Sequence, residues 1–575
     1  MRPLAVCLLV LAGPTFADPP RVKSFTLKDV TGKDVSLADH KDAKAVVVVF
    51  LGTQCPINNA YLPRLAELHK TYSEKGVRFL AVNSNRHDDA ARVAAHAKEH
   101  KVPFPVLKDD GHRVADQFRA ERTPEAFVLD PAGTVVYRGR IDDQFGYNHR
   151  ADEPRTTDLA NALDDVLAGK PVRLATTPVE GCFIARTAKT KETGTITYAK
   201  HVAPILQNRC QECHRKGEIG PMELASYQDA VDWSETIKEV VAERRMPPWH
   251  ADPKHGKFSN DRRLSAEERN TLLGWIDGGM VKGDDADLPP KRTFAEGWRI
   301  GKPDAVFQMG EDYVVPPKSE KKAVRYQYFS VPTNFKEDMW VQAAEARPGN
   351  RKVVHHIIVY VRNPGQARGR EDGIGDGFLI SYAPGDKPGA FPGGTAKRIA
   401  RGATLIFQMH YTPIGTEETD RSSVGLVFSK APPKYEARTR SISQKLLAIP
   451  PGAADHKVTS NTTLRRDAML LALFPHMHLR GKSFEYVVTF PDGKSETILK
   501  VPAYNFGWQT TYELAKPLSL PAGTRIDCTA YFDNSEANKN NPDPKKWVRW
   551  GDQTWEEMMI GFIDYVYTGE NKDKP

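Results

Sequence analysis

This chain is poor in cysteine, in net charge and in long apolar runs. Only 6 of its 575 residues are cysteine, too few for a fold held together by many disulfides. Its 81 Lys and Arg residues exceed its 73 Asp and Glu residues by 81 − 73 = 8, a weak excess for this length that predicts no nucleic-acid partner. Beyond the N-terminus no apolar run reaches the length of about 18 residues that a transmembrane helix needs, so we predict no transmembrane helix.

The length and the N-terminus nevertheless indicate an exported, multidomain protein. A chain of 575 residues with 42 glycines and 42 prolines has room for several domains built from short elements and turns. Residues 1–17 resemble a secretory signal, because Arg2 is followed by an apolar stretch and by a small residue, Ala17, before Asp18. We therefore predict a periplasmic or secreted protein.

Residues 20–170 have the pattern of an α/β domain. The run AVVVVFL at 45–51 is typical of a strand buried on both faces, and Cys55 stands at the start of the helix that follows. A helix N-terminus favours the thiolate form of cysteine. The region resembles the thioredoxin-like redoxin family, in which Thr123-Pro124 corresponds to a cis-proline position beside the cysteine.

Two departures from that family limit what Cys55 can do. A dithiol oxidoreductase has a second cysteine at the position of Asn58, and a peroxiredoxin has threonine at the position of Gly52. Cys55 could instead act as a single thiol centre resolved by Cys182, which lies in a predicted linker at residues 171–195. The alternative is a retained fold whose cysteine is no longer redox-active.

Residues 196–290 contain a C-x-x-C-H motif at 210–214. This motif attaches c-type haem: the thiols of Cys210 and Cys213 add to the haem vinyl groups, and His214 supplies the proximal imidazole. Helical patterns at 202–206 and 265–276 flank the motif. We predict a small all-α cytochrome c-like domain with one covalently bound haem c.

The sixth haem ligand is predicted to be Met246. The segment Arg245–His250 resembles the Met-Pro-Pro-Trp segment of some multidomain bacterial cytochromes, and two prolines stiffen the loop that would carry a weak thioether ligand. Ligation by Met and His raises the haem potential and suits electron transfer. Met222, Met280 and His250 remain alternatives.

From Asp304 onward, short alternating strands separated by turn signals predict two all-β sandwiches, at 303–432 and 433–570. The first contains His355, His356 and His410. The second contains His476 and His478, which stand two apart after an apolar strand. Side chains two apart on a strand leave the same face, so both imidazoles can reach one ion.

This ordered series, completed by Met558, resembles the copper type II, ascorbate-dependent monooxygenases. The resemblance extends to neighbouring positions: Gln408, Leu479, Gly481, Lys482 and Glu557. It implies two copper ions, one held by His355, His356 and His410, the other by His476, His478 and Met558.

Two features of these ligand sets follow from strand geometry. Met558 is preferred over Met559 because Glu557 directly precedes it, and neighbouring strand residues face opposite ways, so only one of the two reaches the metal. For the same reason His355 and His356 can share an ion only at a strand end or a bulge. The resemblance implies such a distortion.

The resemblance does not extend to the substrate site of the peptide-hydroxylating members. Those enzymes clamp a substrate carboxylate with Arg, Asn and Tyr at positions that are Phe474, Ile560 and Phe562 in this chain. The family's disulfides are also missing, since Cys528 is the single cysteine in this half. A glycine-extended peptide is therefore excluded as the expected substrate, and an apolar substrate is favoured.

Three functions compete at this stage. The leading hypothesis is an exported copper-dependent monooxygenase that uses O2, a small-molecule substrate and an external electron donor, with electrons relayed by the haem. The second is a thiol or peroxide oxidoreductase led by Cys55. The third is a non-enzymatic electron-transfer or copper-handling protein.

Overall fold

A computed structural model describes residues 21–151, 153–295, 297–317, 324–366, 377–383, 389–391 and 394–569. The chain divides into two compact units. The first contains the residues up to Tyr147 together with Pro154–Thr187, and the second contains Asn148–Glu153 and the residues from Ala188 onward. The predicted signal segment at 1–17 lies outside the described residues. Among the helices that the structure describes, none has the length and apolarity needed to cross a membrane.

The N-terminal part of the chain alternates strands and helices. Its strands are β1 (Thr26–Asp29), β2 (Asp34–Ser36), β3 (Ala45–Phe50), β4 (Val77–Asn83), β5 (Val106–Lys108), β6 (Arg122–Thr123), β7 (Glu125–Leu129), β8 (Val135–Gly139), β9 (Phe145–Gly146), β10 (His149–Arg150) and β11 (Cys182–Phe183). Its helices are α1 (Pro56–Ser73), α2 (Ala90–Glu99), α3 (Arg113–Phe118) and α4 (Asp158–Leu167).

Seven of these strands form one sheet in the order β2-β1-β5-β4-β3-β7-β8. The central strand β3 is buried at every position, pairs in parallel with β4 and antiparallel with β7, and leads directly into α1. This mixed sheet confirms the predicted α/β thioredoxin-like domain. The buried strands expected at 45–51 and 77–82 are both present.

The structure changes one expected boundary of this domain. Residues 171–195 have the composition of a linker, yet the first compact unit continues to Thr187. Strand β11 pairs with β6 and brings Cys182 opposite Thr123. Ile184 joins the apolar core of the sheet. Short apolar segments of this kind are hard to recognise from sequence, because two-residue strands have no periodicity.

The region that follows is helical. It contains a π-helical turn at Tyr198–Val202, helices α5 (Ala203–Arg209), α6 (Tyr227–Asp232), α7 (Ser234–Ala242) and α8 (Ala266–Asp277), and a 3-10 turn at Asp285–Asp287. Helix α8 begins at a capping box formed by Ser265 and Glu268. The rings of Tyr198, Tyr227 and Trp275 contact one another in its small core. Both helices predicted to flank the C-x-x-C-H motif are present.

The segment between α7 and α8 leaves this helical region and packs on the C-terminal sheets. Trp249 and Phe258 belong to the same apolar core as Tyr512. Phe258 forms an isolated bridge with Leu514, and Asn260 donates to the Thr511 carbonyl at 2.7 Å. We call Trp249–Asn260 the strap.

The first β-rich half has two main sheets around one core. Its strands are β12 (Ala305–Gln308), β13 (Tyr313–Val315), β14 (Gln327–Pro332), β15 (Met339–Arg347), β16 (Val354–Arg362), β17 (Phe378–Tyr382), β18 (Gly389–Ala390), β19 (Thr395–Ile399), β20 (Thr404–Tyr411), β21 (Glu418–Asp420), β22 (Ser423–Phe428) and β23 (Tyr435–Glu436). The sheet β14-β20-β16-β17 and the sheet built around β15 and β22 contribute to one apolar core. Because β23 pairs with β19, pairing in this half continues past the expected end at residue 432.

The second half repeats this plan. Its strands are β24 (Arg438–Ser443), β25 (Ala448–Ile449), β26 (His456–Thr463), β27 (Ala468–His476), β28 (Gly481–Thr489), β29 (Ser495–Val501), β30 (Tyr512–Leu520), β31 (Arg525–Phe532), β32 (Val548–Arg549) and β33 (Ile560–Tyr567). The sheets β24-β33-β27-β30 and β26-β31-β28-β29 share a second core, which includes the strap residues Trp249 and Phe258.

Candidate metal centres and thiol site

His355, His356 and His410 lie together on two neighbouring strands. His356 on β16 is directly opposite His410 on β20, and the register shifts between Val354 and His356. This bulge at His355 turns its side chain toward the face used by its neighbour. The distortion expected for two adjacent histidines at one site is confirmed.

The ring nitrogens of this group converge. Nδ1 of His356 lies 3.3 Å from Nδ1 of His355 and 3.3 Å from Nδ1 of His410, and the three residues form a potential metal-ligand group. Nitrogens bound about 2.0 Å from one ion in tetrahedral geometry lie about 3.3 Å apart. These two spacings, together with ligand atoms of all three residues lying within 4.8 Å of one another, fit one metal ion shared by the three histidines.

Burial keeps these imidazoles neutral. It lowers the pKa of His355 to about 4, with a smaller contribution from Arg150. It also lowers the pKa of His356 and of His410 well below the usual value, and neighbouring histidines add to the effect. A neutral imidazole is the form that binds metal.

His476 and His478 form a second group at the end of β27. Burial lowers the pKa of His476 to about 4 and that of His478 to about 3. Nδ1 of His476 lies 2.8 Å from Oε1 of Gln509, and Nδ1 of His478 lies 3.1 Å from the Glu556 carbonyl oxygen. Both acceptors fix the proton on Nδ1 and leave Nε2 as the free lone pair, as outer hydrogen bonds do for metal-bound histidines.

Nε2 of His478 is buried and has no hydrogen-bond partner among the described residues. An unpaired buried acceptor is costly, and a metal ion would satisfy it. His476 and His478 also contribute to the lowered pKa of His356. The two histidine groups therefore lie within electrostatic range of each other inside the second unit.

Met558 and Met559 face different surroundings. Met558 packs with Phe474, Ile560 and Phe562, and the ring of Phe474 is 6.3 Å from that of His476. Met559 is fully buried in the core of the second half. The opposite orientation of the two methionines agrees with the expectation that only one of them can face the second histidine group.

A buried carboxylate connects His478 to Met558. Glu557 accepts hydrogen bonds from the backbone N–H groups of His478 at 2.8 Å, Arg480 at 2.6 Å and Met558 at 3.2 Å. Burial raises the pKa of Glu557 to about 7, although Arg480 and these N–H groups oppose the rise. The sequence marked Glu557 as the residue before the methionine, but its role in fixing the His478 turn was missed.

Sequence reasoning also missed the loop between β29 and β30. Phe506 stacks on His355 with ring centroids 5.3 Å apart, and Gln509 holds His476. Tyr504 both accepts from the Met477 N–H at 3.1 Å and donates to the Met477 carbonyl at 2.8 Å. The aromatic-rich string Tyr504–Gln509 was the available signal.

The C-x-x-C-H residues lie just after α5. Nδ1 of His214 donates to the Met222 carbonyl oxygen at 3.1 Å, which leaves Nε2 as the ligand nitrogen. A Cβ at Gly220 would lie 2.7 Å from Nδ1 of His214, so glycine is needed for this approach. Burial raises the pKa of the Cys210 thiol to about 12 and raises that of Cys213 as well. These residues fit a proximal haem ligand with two attachment thiols.

The four candidates for the sixth haem ligand differ in position and in burial. The backbone of Met222 lies on the Nδ1 side of His214, the side away from a haem held by Nε2, so Met222 is a poor choice for the opposite face. Met280 is buried in the helical core. Met246 and His250 are half-buried, and Met246 precedes a cis proline, Pro247. Met246 stays the predicted ligand.

Cys55 occupies the N-cap position of α1, without a side-chain capping hydrogen bond, and contacts Cys182. The Cys182 N–H lies 3.4 Å from Cys55 Sγ, and the Cys55 thiol donates to the Thr123 carbonyl at 3.0 Å. Burial raises the pKa of Cys55, but hydrogen bonds from the Cys182 side chain and from the N–H groups of Asn58 and Cys182 outweigh burial and lower the pKa to about 7.

There is no space for a side chain at residue 52, where peroxiredoxins have a threonine. A Cβ at Gly52 would lie 2.7 Å from Nδ2 of Asn85 and 3.0 Å from Oγ1 of Thr123. Nδ2 of Asn85 is itself held by Asp88 at 3.0 Å. A threonine therefore does not fit at residue 52 unless this buried network moves.

Comparisons with known proteins concern the N-terminal domain. Residues 20–138 match the AhpC/TSA family. Thiol-disulfide oxidoreductase ResA from Bacillus thuringiensis (strain Al Hakam) is 30% identical over 145 residues, covering 23% of this chain and 82% of ResA. Chloroplastic peroxiredoxin Q from Triticum aestivum is 30% identical over 121 residues, covering 20% of this chain and 54% of that protein.

Among solved structures, a hypothetical protein from Sinorhizobium meliloti 1021 is 33% identical, with a TM-score of 0.29, over 30% of this chain and 97% of its own. Three observations indicate a thioredoxin-like domain: the buried strand β3, the position of Cys55 at the start of α1, and the similarity over most of the length of ResA. Through its N-terminal thioredoxin-like domain, the chain belongs to the AhpC/TSA family.

Proposed function

We propose that this protein is an exported oxidoreductase whose β-rich halves form a copper-dependent monooxygenase. The approach of His356 Nδ1 to Nδ1 of both His355 and His410, at 3.3 Å each, is the single observation that carries the proposal. Imidazole nitrogen and thioether sulfur are ligands that copper accepts in both of its common oxidation states. His355, His356 and His410 would hold one ion, and His476, His478 and Met558 would hold the other.

The bound ions would supply one-electron chemistry with O2, so that one oxygen atom enters a substrate C–H bond and the other leaves as water after two electrons and two protons are added. The chain's own residues prepare the two sites for this. Gln509 and the Glu556 carbonyl orient the Nε2 atoms of His476 and His478, and Glu557 fixes the turn that carries His478. Burial holds all five imidazoles in the neutral, ligating form.

The residues around Met558 support an apolar substrate. Phe474, Ile560 and Phe562 replace the carboxylate clamp of the peptide-hydroxylating enzymes and pack together with Met558. The rings of Phe474 and Phe562 stack at 5.6 Å, and Phe378 from the first half lies 6.0 Å from Phe562. The clustered side chains themselves carry no positive charge, and the Lys397 ammonium beside the Phe378 ring donates to the Phe378 and Leu379 carbonyl oxygens and to Thr439.

The helical region would supply the electrons. Cys210, Cys213 and His214 would hold a haem c, which is a one-electron carrier, with Met246 as the sixth ligand.

A thiol function at Cys55 is a second candidate, favoured by the lowered pKa of Cys55 and the contact with Cys182. The relatives of this domain are named thiol-disulfide oxidoreductase and peroxiredoxin, and they favour this function for residues 20–187. Because Gly52 leaves no room for threonine, we propose disulfide exchange rather than peroxidase chemistry. The two proposed functions use different residues in different units, so each can hold without the other.

The exchange step balances with a disulfide substrate as oxidant. The Cys55 thiolate attacks one substrate sulfur, and the other leaves as a thiolate that takes up a proton. Cys182 then attacks Cys55, which releases the second substrate thiol and leaves a Cys55–Cys182 disulfide. The substrate disulfide is reduced to two thiols, and the pair is oxidised by two electrons.

Metal and haem counting tests the copper proposal. The purified chain should bind two copper ions, while His410→Ala and His478→Ala should each bind one. His456→Ala changes a histidine on β26 outside both groups and should still bind two. The haem should stay with the chain after acid-acetone extraction, and the reduced, loaded protein should consume O2. A chain that binds no copper, or a His410→Ala protein that keeps two ions, would contradict the proposal.

A further inference from the structure

The loop between β29 and β30 is attached to the second histidine group. Tyr504 is bonded to the backbone of Met477, between the two histidines. Gln509 is bonded to His476 at 2.8 Å. Between these anchors, the Asn505 side chain accepts the Gly507 N–H at 2.8 Å and closes a tight turn. Phe506 stands at this turn, so its position is fixed from both sides.

The ring of Phe506 nevertheless lies on the first histidine group. It is stacked on His355 at 5.3 Å with an interplanar angle of 14°. It is 6.2 Å from the ring of His410 and 6.0 Å from the ring of His478. Phe506 is the side chain whose ring contacts members of both groups among the described residues.

The orientation of the Phe506 ring determines which part of the three-histidine group it covers. The Phe506 ring covers one face of His355 and lies 6.2 Å from the ring of His410, so it would lie next to an ion held by these two residues. Three nitrogens leave a further coordination position open, and an exogenous ligand must reach it from outside the ligand set. Of the three histidines, His355 is the one that is not fully buried, and Phe506 covers one face of its ring.

We propose that Phe506 is the positioning residue that closes the three-histidine site to exogenous ligands. The inference rests on the proposed copper function.

Azide titration of the Cu(II)-loaded full-length protein tests this, with the electron paramagnetic resonance of each copper as the readout. In the unchanged protein, one of the two copper signals should respond to azide. In Phe506→Ala both should respond, because removal of the ring opens the position beside His355. Phe506→Leu keeps most of the bulk and should require more azide than Phe506→Ala for the second response. Trp508→Ala, which removes an aromatic side chain from the same loop, should behave as the unchanged protein.

The outcomes separate this inference from the copper proposal. Two results with two bound ions would show that the role of Phe506 is wrong while the copper proposal stands. In the first, both copper signals already respond to azide in the unchanged protein. In the second, only one copper signal responds in Phe506→Ala. If the three-histidine group binds no copper, both are wrong. Circular dichroism and the copper content of each variant show whether it has folded, and Phe506→Leu provides the result if Phe506→Ala does not fold.

Discussion

At the scale of single residues, the two histidine groups are prepared differently. In the first group the Nδ1 atoms converge, whereas in the second the Nδ1 atoms are occupied by Gln509 and the Glu556 carbonyl, and Nε2 is left free. A ring whose proton is fixed by an acceptor has lost the freedom to present the wrong nitrogen. The second group can therefore bind an ion through Nε2 without first changing its tautomer.

Replacing each of the two neighbouring methionines in turn shows which one is a copper ligand and which one is a core residue. Met558→Ile keeps the bulk but removes the thioether, so we expect the second copper to lose a ligand and O2 consumption to stop, while the three-histidine copper is retained. Copper content, paramagnetic resonance and O2 uptake measure this.

Met559→Ile is the matched control, because Met559 lies in the core of the second half. It should lower the free energy of unfolding by about 1 kcal/mol, as volume-conserving core changes do, and should leave O2 uptake intact. Full O2 uptake in Met558→Ile would contradict the assignment of the ligand.

The Cys55 thiol should titrate near neutral pH. Its pKa is lowered to about 7, so the thiolate fraction should rise with a midpoint near pH 7, measured as the ultraviolet thiolate absorbance that disappears in Cys55→Ser. A lowered pKa stabilises the folded state above the pKa of the unfolded thiol, and this contribution is lost as the pH falls from about 9 to about 7.

Cys182→Ala tests the cause of this shift. It removes the side-chain hydrogen bond to Cys55 and should raise the Cys55 pKa, whereas Cys528→Ala, in the other unit, should not change it. A midpoint near pH 9 in the unchanged protein would support a redoxin domain that has lost its reactive thiol.

The residues that sequence could identify are those whose chemistry is fixed by local spacing. The C-x-x-C-H motif, the His-x-His pair and the adjacent histidines needed no tertiary information. Phe506 and Gln509 could not be placed, because each acts on residues far away in the chain and carries no motif of its own. The bulge at His355 was expected only because two adjacent side chains had to reach one ion.

At the scale of elements, the strap shows how a segment of the helical region contributes to the second β-rich half. Trp249 is buried, with its ring 5.0 Å from Tyr512 and 5.9 Å from Phe258. Strand β30, which carries Tyr512, pairs with β27, which ends at His476. The strap therefore supports the sheet that positions the second histidine group, and no periodicity in the sequence indicated this.

Loss of the Trp249 side chain should destabilise the second unit. Trp249→Ala leaves a cavity between Phe258 and Tyr512, so the free energy of unfolding should fall by about 3 kcal/mol, measured by denaturant unfolding of the full chain. Trp547→Ala removes an indole that is 59% exposed and should change this free energy by less than about 0.5 kcal/mol. Equal effects of the two changes would show that the strap does not stabilise these sheets.

At the scale of the whole molecule, the thiol site and the histidine groups belong to different compact units, each with its own apolar core. The order of modules could be predicted from sequence because each begins with its own pattern: a buried parallel strand, a haem motif, then alternating strands. The exact module boundaries could not be predicted, because β11 and β23 are two-residue strands that can be recognised only from the strands with which they pair.

Separate cores predict separate losses of function. Cys55→Ser should abolish disulfide exchange and leave two copper ions and one haem per chain. His410→Ala should remove one copper ion and leave the Cys55 titration unchanged, because the Cys55 pKa is set by burial, Cys182, Asn58 and Thr123. Both variants should be assayed for both chemistries in the same full-length protein. Loss of O2 consumption in fully loaded Cys55→Ser would show instead that the thiol site takes part in the copper reaction.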